Sequence, residues 1–305
     1  MFDLLVTGDV NPDVIMGPLG GGLEFGQREQ LVAAGALVLG GSGAIMACGA
    51  ARLGLSVAFA GRVGDDDAGR YVRDALASRG VDTRHLAMDP DVSTPLTVVV
   101  TREGDRAMLT ALGTLADTTV ADLPRSRHVH AASYFLMPRL ASRLPALFRA
   151  ARADGATTSL DTNDDPAGRW DLGDVLAETD ILLPNAAEAM HLAGVGTPVA
   201  AAGILAARGP TVVVKNGADG AICHDGQNLV TVPSADVTPV DTVGAGDSFD
   251  AGFVAARLAG LSVADALRLA AACGALSTRA AGGTASQPTW DEAIAYAPRE
   301  GKSTR

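Results

Sequence analysis

The residues with the clearest chemical potential lie between Asp241 and Gly252, where the chain reads DTVGAGDSFDAG. Gly244 and Gly246 carry no side chain, so the backbone there can approach a ligand closely. We expect a helix to begin at this turn, and the first amides of a helix have no internal partner and carry the positive end of its dipole. The turn is therefore a candidate anion site that needs no lysine.

Asp247 is the acidic residue of this turn and the candidate catalytic residue. It would stand where a bound phosphoryl group is held, and a carboxylate in that position can accept the proton of an attacking hydroxyl group. From these few residues alone, a carboxylate that merely caps the helix is an equally good interpretation.

Two further pairs of polar residues follow predicted strands. Asn11 and Asp13 stand at alternate positions in the polar turn that we expect after the first apolar run. An amide beside a carboxylate suits a polyol, which both donates and accepts hydrogen bonds. Asn185 and Glu188 are three residues apart, so on a helix they share one face. An ordinary turn at Asn11 and a helix cap at Asn185 are the structural alternatives.

Predicted strands and helices alternate along most of the chain. Apolar runs of strand length occur at residues 2–8, 56–61, 128–133, 157–161, 181–183 and 211–215, with helical stretches between them. This alternation is typical of an α/β fold, and we expect three layers with a mostly parallel central sheet.

Two β-rich stretches, residues 11–40 and 93–112, interrupt this alternation. We expect them to form a small separate sheet over one face of the core, acting as a β lid through which two copies of the chain could pair as a homodimer. The α/β core would comprise residues 1–10, 41–92 and 113–297. Residues 298–305 would be a polar, frayed tail.

The composition limits the classes of function. The formal net charge is −11, and a uniformly acidic chain gains nothing from a phosphate backbone, so we expect no nucleic-acid partner. Three cysteines, far apart and odd in number, favour a reducing compartment. We see no signal peptide and no apolar stretch long enough to span a bilayer. We therefore expect a cytoplasmic protein without a membrane partner.

The string from Asp241 to Val254 resembles the C-terminal signature of the ribokinase-like (PfkB) carbohydrate kinase family, and other landmarks of that family follow in the right order along nearly the whole chain. The resemblance implies a ribokinase-like fold and an ATP-dependent kinase. It makes Asp247 the base and places the backbone of Gly244, Ala245 and Gly246 against the transferring phosphoryl group. Asp241 would hold a monovalent cation, K⁺, near that loop.

The same resemblance implies a set of substrate contacts. The run GGSGAIMA, which begins at Gly40, resembles the N-terminal Gly-Gly motif of the family, whose glycines let substrate hydroxyls reach the backbone. The implied substrate-binding residues are Asn11, Asp13, Gly40, Gly41 and Asp247. The family usually has Asn where this chain has Ile45, so one polar contact to the sugar is missing. Asn163 is a further candidate for a phosphate or substrate contact.

A second implied set belongs to ATP. Asn185 and Glu188 match the Asn-x-x-Glu motif of the family, and VKNGADG, from Val214, resembles its strand-turn segment beside the nucleotide. The implied ATP-binding residues are Asn185, Lys215, Gly217, Gly244 and Gly246. Glu188 would hold Mg²⁺ through water, in keeping with the preference of this ion for oxygen ligands. For Lys215, an exposed strand end is the alternative interpretation. Ala271 stands where relatives often carry an Asn near the adenine.

We predict an enzyme that transfers a phosphate from ATP to a primary hydroxyl group of a sugar or sugar derivative, with Mg²⁺ as cofactor. A nucleoside kinase of the same family is the main alternative, because a ribose hydroxyl would meet the same residues. A non-catalytic sugar-binding protein on the same fold and a nicotinamide-dependent oxidoreductase are the others. Against the latter, Met46 and Phe249 stand where a G-x-G-x-x-G pattern requires its third glycine.

Overall fold

The computed structural model of the chain describes residues 1–102, 105–120 and 123–297, so the predicted tail at 298–305 lies outside the described residues. The strands, in chain order, are β1 Phe2–Thr7, β2 Asn11–Leu19, β3 Ala34–Gly40, β4 Val57–Gly64, β5 Val81–Asp89, β6 Leu96–Arg102, β7 Asp105–Ala111, β8 Ser126–Ala131, β9 Thr157–Leu160, β10 Ile181–Leu182, β11 Thr211–Lys215, β12 Ala221–His224 and β13 Leu229–Val232. The α-helices are α1 Ser42–Arg52, α2 Asp67–Ser78, α3 Pro138–Ala153, α4 Ala186–Ala193, α5 Pro198–Ala206, α6 Ala245–Leu258, α7 Val263–Ser277 and α8 Trp290–Tyr296.

Nine of these strands form the central sheet, in the order β13-β12-β11-β10-β9-β8-β1-β4-β5. Neighbouring strands run parallel from β11 to β5, whereas β12 pairs antiparallel with both β11 and β13 at one edge. Parallel strands need a crossover connection, which is usually a helix. The parallel pairing therefore agrees with the alternation of predicted strands and helices along the sequence. The predicted mostly parallel sheet is confirmed.

The central sheet separates two hydrophobic cores. Side chains of successive strand residues point to opposite faces, so Leu4 and Val6 of β1 pack into one core while Leu5 packs into the other. The first core is completed by residues of α1, α6 and α7, and the second by residues of α3, α4 and α5. Helices therefore cover both faces of the sheet, which gives the predicted three-layer α/β fold.

The other four strands form a separate sheet in the order β3-β2-β6-β7. They lie within residues 11–40 and 93–112, where the sequence predicted a small second sheet. One local prediction is wrong: Asn11 to Asp13 were expected in a turn, but they begin β2. Asn11 pairs with Gly40 on one side and Asp13 pairs with Thr97 on the other, and pairing at both edges holds this segment extended.

Cys48, Cys223 and Cys273 are all buried and form no disulfide. Within the described part of the chain, no single helix has both the length and the apolar character needed to cross a membrane. The pair α4 and α5 meets those two criteria only when taken together, across a bend of 57°.

Candidate active site

The candidate active site lies at the carboxyl ends of the parallel strands, where helices α1 and α6 begin. In α/β sheets this edge collects the residues that follow each strand. Asp9 follows β1, Asp161 follows β9 and Lys215 ends β11. Hydrogen bonds connect Asp9 to the first turn of α1, and an ion pair connects Lys215 to Asp250 of α6.

Helix α6 begins with an open glycine turn. Gly244 has a φ of 72°, in the left-handed region that favours glycine, and no side chain caps the helix. A Cβ atom at Gly244 would lie 2.7 Å from Cα of Gly283 and 2.9 Å from Cγ2 of Ile45. Ala245 and Gly246 line a cavity, and the Ala245 amide donates to the Thr242 carbonyl at 3.3 Å. The dipole of this helix and the other amides of its first turn can act on an anion bound there.

Asp247 lies in the first turn of α6 and is half-buried. Burial raises the pKa of its carboxyl to about 8, and the charges of Asp161 and Asp9 act in the same direction. The charge of Lys215 and a hydrogen bond from Ser42 oppose this rise in pKa. A carboxyl group with a pKa near neutral pH is well suited to general-base catalysis.

Helix α1 begins with a closed turn instead. The carboxylate of Asp9 accepts hydrogen bonds from the amides of Ser42 and Gly43, both at 3.1 Å. Gly41 has a φ of 90°, and a Cβ atom there would lie 2.7 Å from the backbone oxygen of Asp9. Asp9, which the sequence did not single out as functional, thus satisfies the first amides of α1 and leaves α6 as the open anion site.

Asn11 and Asp13 lie together on β2. The Asn11 amide donates to Oδ1 of Asp13 at 2.6 Å and to Oγ1 of Thr97 at 3.1 Å. Burial raises the pKa of Asp13 to about 6, and the charge of Asp9 adds to the rise. A Cβ atom at Gly40 would overlap the Asp13 carboxyl, so this glycine gives the carboxyl its space. Three of the predicted substrate-binding residues are therefore in contact.

Lys215 occupies the centre of a buried ion cluster. Its ammonium lies 2.7 Å from Oδ2 of Asp161 and 3.0 Å from Oδ2 of Asp250. The three side chains are 11%, 4% and 1% exposed, so the interpretation of Lys215 as an exposed strand end is wrong. Burial alone would lower the pKa of Lys215, but Asp161 and Asp250 together raise it above its ordinary value. No feature of the sequence indicated the part played by Asp250.

Asn163 links this cluster to the start of α1. Its side-chain amide lies 2.5 Å from Oγ of Ser42 and 3.0 Å from Oγ of Ser133. When the amide oxygen accepts from these hydroxyls, the amide nitrogen donates to both carboxylate oxygens of Asp161, at 3.1 and 3.2 Å. Its backbone has a φ of 53°, which turns the chain sharply after β9. Asn163 therefore orients Asp161 in this structure.

Asn185 and Glu188 form a reciprocal cap at the start of α4. The Asn185 side chain accepts from the Glu188 amide at 3.0 Å, and Glu188 Oε2 accepts from the Asn185 amide at 2.9 Å. The structural alternative of a helix cap is thus present, and contact of Asn185 with phosphate stays a prediction. Burial, reinforced by the charge of Asp161, raises the pKa of Glu188 to about 7.

A cavity of about 400 Å³ opens beside the start of α6. Its walls include Lys215, Gly217, Ala235, Phe249, Ala271 and Gly274. Most of these contribute apolar atoms or backbone, which suits the planar base of a nucleotide. Ala271 lies on the wall, so no amide side chain is present at that point. Asn185 and Gly244 are not part of this lining.

Asp241 lies at the rim of the α6 turn. Its two carboxylate oxygens accept from the amides of Val243 at 3.0 Å and Gly282 at 2.9 Å. A guanidinium nitrogen of Arg106 on β7 lies 3.8 Å from Oδ1. The Asp241 carboxylate retains lone pairs that a monovalent cation could use. The guanidinium of Arg106 lies near the same carboxylate and would compete with such a cation. A cation site at Asp241 therefore stays a prediction.

The acidic residues near Lys215 fit a magnesium ion that also binds phosphate. Among the described residues, no group of three or more His, Cys, Asp or Glu side chains is arranged to hold a metal by itself. Mg²⁺ commonly keeps several waters and uses one or two carboxylates together with substrate phosphates. Glu188, buried beside Asp161, supplies oxygen donors of this kind.

Comparison with known proteins gives a consistent result. Residues 1–290 match the family described as pfkB family carbohydrate kinase. The chain is 34% identical over 263 residues to an ATP-dependent ribose-1-phosphate kinase of Halopiger xanaduensis, covering 84% of this chain and 86% of that protein. It is 30% identical over 309 residues to a ribokinase of Haemophilus influenzae, covering 96% and 97%.

A solved structure shares the fold. The ribokinase of Arabidopsis thaliana complexed with ribose and ATP superimposes with a TM-score of 0.84, over 98% of this chain and 99% of that chain. The sequence identity between the two is 24%. The similarity extends over both sheets, because almost the whole chain is covered.

Proposed function

Because this chain belongs to the pfkB family of carbohydrate kinases, and is thus an ATP-dependent carbohydrate kinase, we propose that it phosphorylates a primary hydroxyl group of a sugar with Asp247 as the base. The observation that carries the proposal is the place of Asp247 in the first turn of the open helix α6, with a pKa raised to about 8. This carboxyl group can be ionised near neutral pH and still bind a proton readily.

The chemical step follows from this arrangement. Ionised Asp247 accepts the proton of the substrate hydroxyl while the hydroxyl oxygen forms a bond to the γ-phosphorus of ATP and the bond to the leaving ADP oxygen breaks. The amides of Gly244, Ala245 and Gly246 and the dipole of α6 stabilise the charge on the transferring group. These amides need little rearrangement during phosphoryl transfer, because the glycine turn is already packed against Gly283.

The substrate side of the proposal rests on the hydrogen-bonding residues of β2 and α1. Asn11 and Asp13 offer a donor and an acceptor, as a polyol requires, and Gly40 leaves room for the Asp13 carboxyl beside them. Contact of the substrate with Gly40 and Gly41 is part of the same proposal. The two relatives are named for ribose 1-phosphate and ribose, which supports a sugar acceptor here. A nucleoside, whose ribose carries a similar hydroxyl, is the second candidate within the family.

The nucleotide side uses the cavity beside α6. We place the base against Ala271 and Gly274 and the phosphates toward Gly246, with Gly217 allowing close approach of the backbone. Asn185 completes the proposed ATP contacts, and Lys215 lies on the wall of the same cavity. Mg²⁺, held through water by Glu188, would neutralise charge on the β- and γ-phosphates. A K⁺ ion beside Asp241 is the corresponding proposal for the monovalent cation.

The second sheet is proposed to close as a lid over the substrate. It supplies Asn11 and Asp13 directly, and lid closure would exclude water and limit hydrolysis of ATP. Exposed apolar side chains on β3 and β7, including Leu37, Met108 and Leu109, support the proposal of a homodimer formed through this sheet. Buried, unpaired cysteines support a reducing, cytoplasmic location.

Acceptor-dependent ADP release tests the proposal. Purified protein with MgATP should release ADP at least about tenfold faster with one pentose or hexose than without acceptor, because water is a poor substitute for a positioned hydroxyl. The panel should include ribose, fructose, ribose 1-phosphate, keto-acid sugars and nucleosides. A nucleoside as the best acceptor would select the second candidate. ADP release that no acceptor increases would contradict the proposed function.

A further inference from the structure

The position of Lys215 relative to α6 gives it a role different from that of a phosphate ligand. Its ammonium is engaged by Asp161 and Asp250 at 2.7 and 3.0 Å, and these two carboxylates are 4% and 1% exposed. A Cβ atom on Gly246 would lie 3.5 Å from this nitrogen, so the backbone of the anion turn lies directly against the ammonium. The positive charge therefore lies beside the turn, on the wall of the same cavity.

The balance of charge around Asp247 makes this ammonium important. The titratable groups of the cluster are Asp9 after β1, His130 in β8, Asp161 after β9, Glu188 in α4, Lys215 in β11, and Asp247 and Asp250 in α6. Burial keeps His130 neutral by lowering its pKa to about 4. Lys215 is consequently the one cation among these groups, five of which are carboxyl groups.

We propose that Lys215 is a positioning residue for phosphoryl transfer: fixed by Asp161 and Asp250 beside Gly246, its charge offsets the surrounding carboxylates and allows Asp247 to act as an anion. This inference rests on the proposed function, because it assigns Lys215 a part in the work of Asp247. It differs from direct phosphate binding in that the ammonium acts through Asp247 and the anion turn.

Removing the positive charge of Lys215 and removing the negative charge of Asp161 should shift the pH profile of kcat/KM in opposite directions. Lys215→Met removes the cation, so ionised Asp247 becomes less favourable and the acidic limb of the kcat/KM profile moves to higher pH, by about one unit. Asp161→Asn removes the strongest neighbouring anion, so the same limb moves to lower pH. A residue with only a structural role would not produce shifts of opposite sign.

The Michaelis constants separate this role from phosphate binding. KM for ATP should change less than about threefold in Lys215→Met, and the lost activity should return as the pH rises toward 9. A phosphate ligand would instead raise KM for ATP at every pH. Asp180→Asn is the matched control for Asp161→Asn, because Asp180 hydrogen-bonds Thr158 at the start of β9, away from this cluster. The control should leave the profile in place.

Each outcome bears on one claim. Lys215→Met could fail to fold, because it leaves two buried carboxylates unpaired, and the isosteric Asp161→Asn then still tests the direction of the shift. Acidic limbs that stay fixed, or that move the same way in both variants, would overturn the role of Lys215. Full activity in Asp247→Asn would instead refute the base, so failure of this inference and failure of the proposed function give different results.

Discussion

At the residue scale, Asp247 must satisfy two opposing demands. A general base has to be ionised when the substrate arrives, yet it stands among Asp9, Asp161 and a site for phosphates, all of which disfavour a second negative charge. The structure meets both demands with opposing contributions: burial raises the pKa of Asp247, while Lys215 and Ser42 hold the rise in check. The result is a group that titrates close to neutral pH.

The pH dependence of kcat/KM tests this description. Because Asp247 has its pKa raised to about 8 and must be ionised to accept a proton, kcat/KM should fall about tenfold for each unit of pH below that value. Asp13 and Glu188, with pKa values of about 6 and about 7, should make the fall steeper below pH 7 if their ionised forms bind substrate and Mg²⁺. Steady-state rates from pH 5.5 to 9.5 provide the measurement. A plateau that extends down to pH 5.5 would contradict this assignment.

The contiguous part of the site could be predicted from the sequence, whereas the charged cluster could not. Asp247 and the glycines before it form one local motif, and its physical meaning depends only on a helix starting there. Lys215 is 54 residues from Asp161 and 35 from Asp250, so only the parallel order of β9 and β11 and the packing of α6 bring them together. For that reason an exposed position for Lys215 was a reasonable but wrong alternative.

At the element scale, the difference between the two helix starts defines the site. Asp9 closes the N-terminus of α1, while Gly244 leaves that of α6 open. The helix at the glycine turn was expected from the sequence, and α6 begins there at Ala245. The start of β2 was not expected, because the residues Asn11-Pro12-Asp13 favour a turn locally, and only strand pairing with Gly40 and Thr97 makes them extended.

Substitution of Gly244 tests the role of the α6 turn. Gly244→Ala should lower kcat at least about tenfold, because a Cβ atom would meet Gly283 and Ile45 and displace the anion turn. It should also lower the free energy of unfolding by about 1–2 kcal/mol through the left-handed backbone. Urea unfolding and steady-state kinetics measure the two effects.

Gly260, which follows the same helix, offers a matched control. It has a φ of 82°, but a Cβ atom there would have nothing within 4 Å. Gly260→Ala should therefore lose about 1–2 kcal/mol of stability from the backbone while kcat stays unchanged. Equal losses of kcat in the two variants would show that the effect at Gly244 is one of general stability, not of the anion turn.

At the scale of the whole molecule, the central sheet and the second sheet share the task of building the site. The parallel sheet, covered on both faces, gathers the charged residues at one edge, and the second sheet adds Asn11 and Asp13 from β2. Fold class could be predicted because the alternation of strands and helices extends over most of the chain. Substrate identity could not, because the choice among sugars depends on a few hydroxyl contacts, one of which Ile45 does not make.

The central claim is that the carboxylate of Asp247 draws a proton from an acceptor hydroxyl at the open start of α6. Its most direct test is the kcat of Asp247→Asn with the best acceptor from the ADP-release panel. Loss of the base should lower kcat about 10²–10⁴-fold. Because the pKa of Asp247 is raised in the folded state, its ionised form lowers stability above neutral pH, so the variant should unfold at the same or a higher temperature at pH 8.5. A folded Asp247→Asn protein whose kcat stays within about threefold of the parent value would contradict the account.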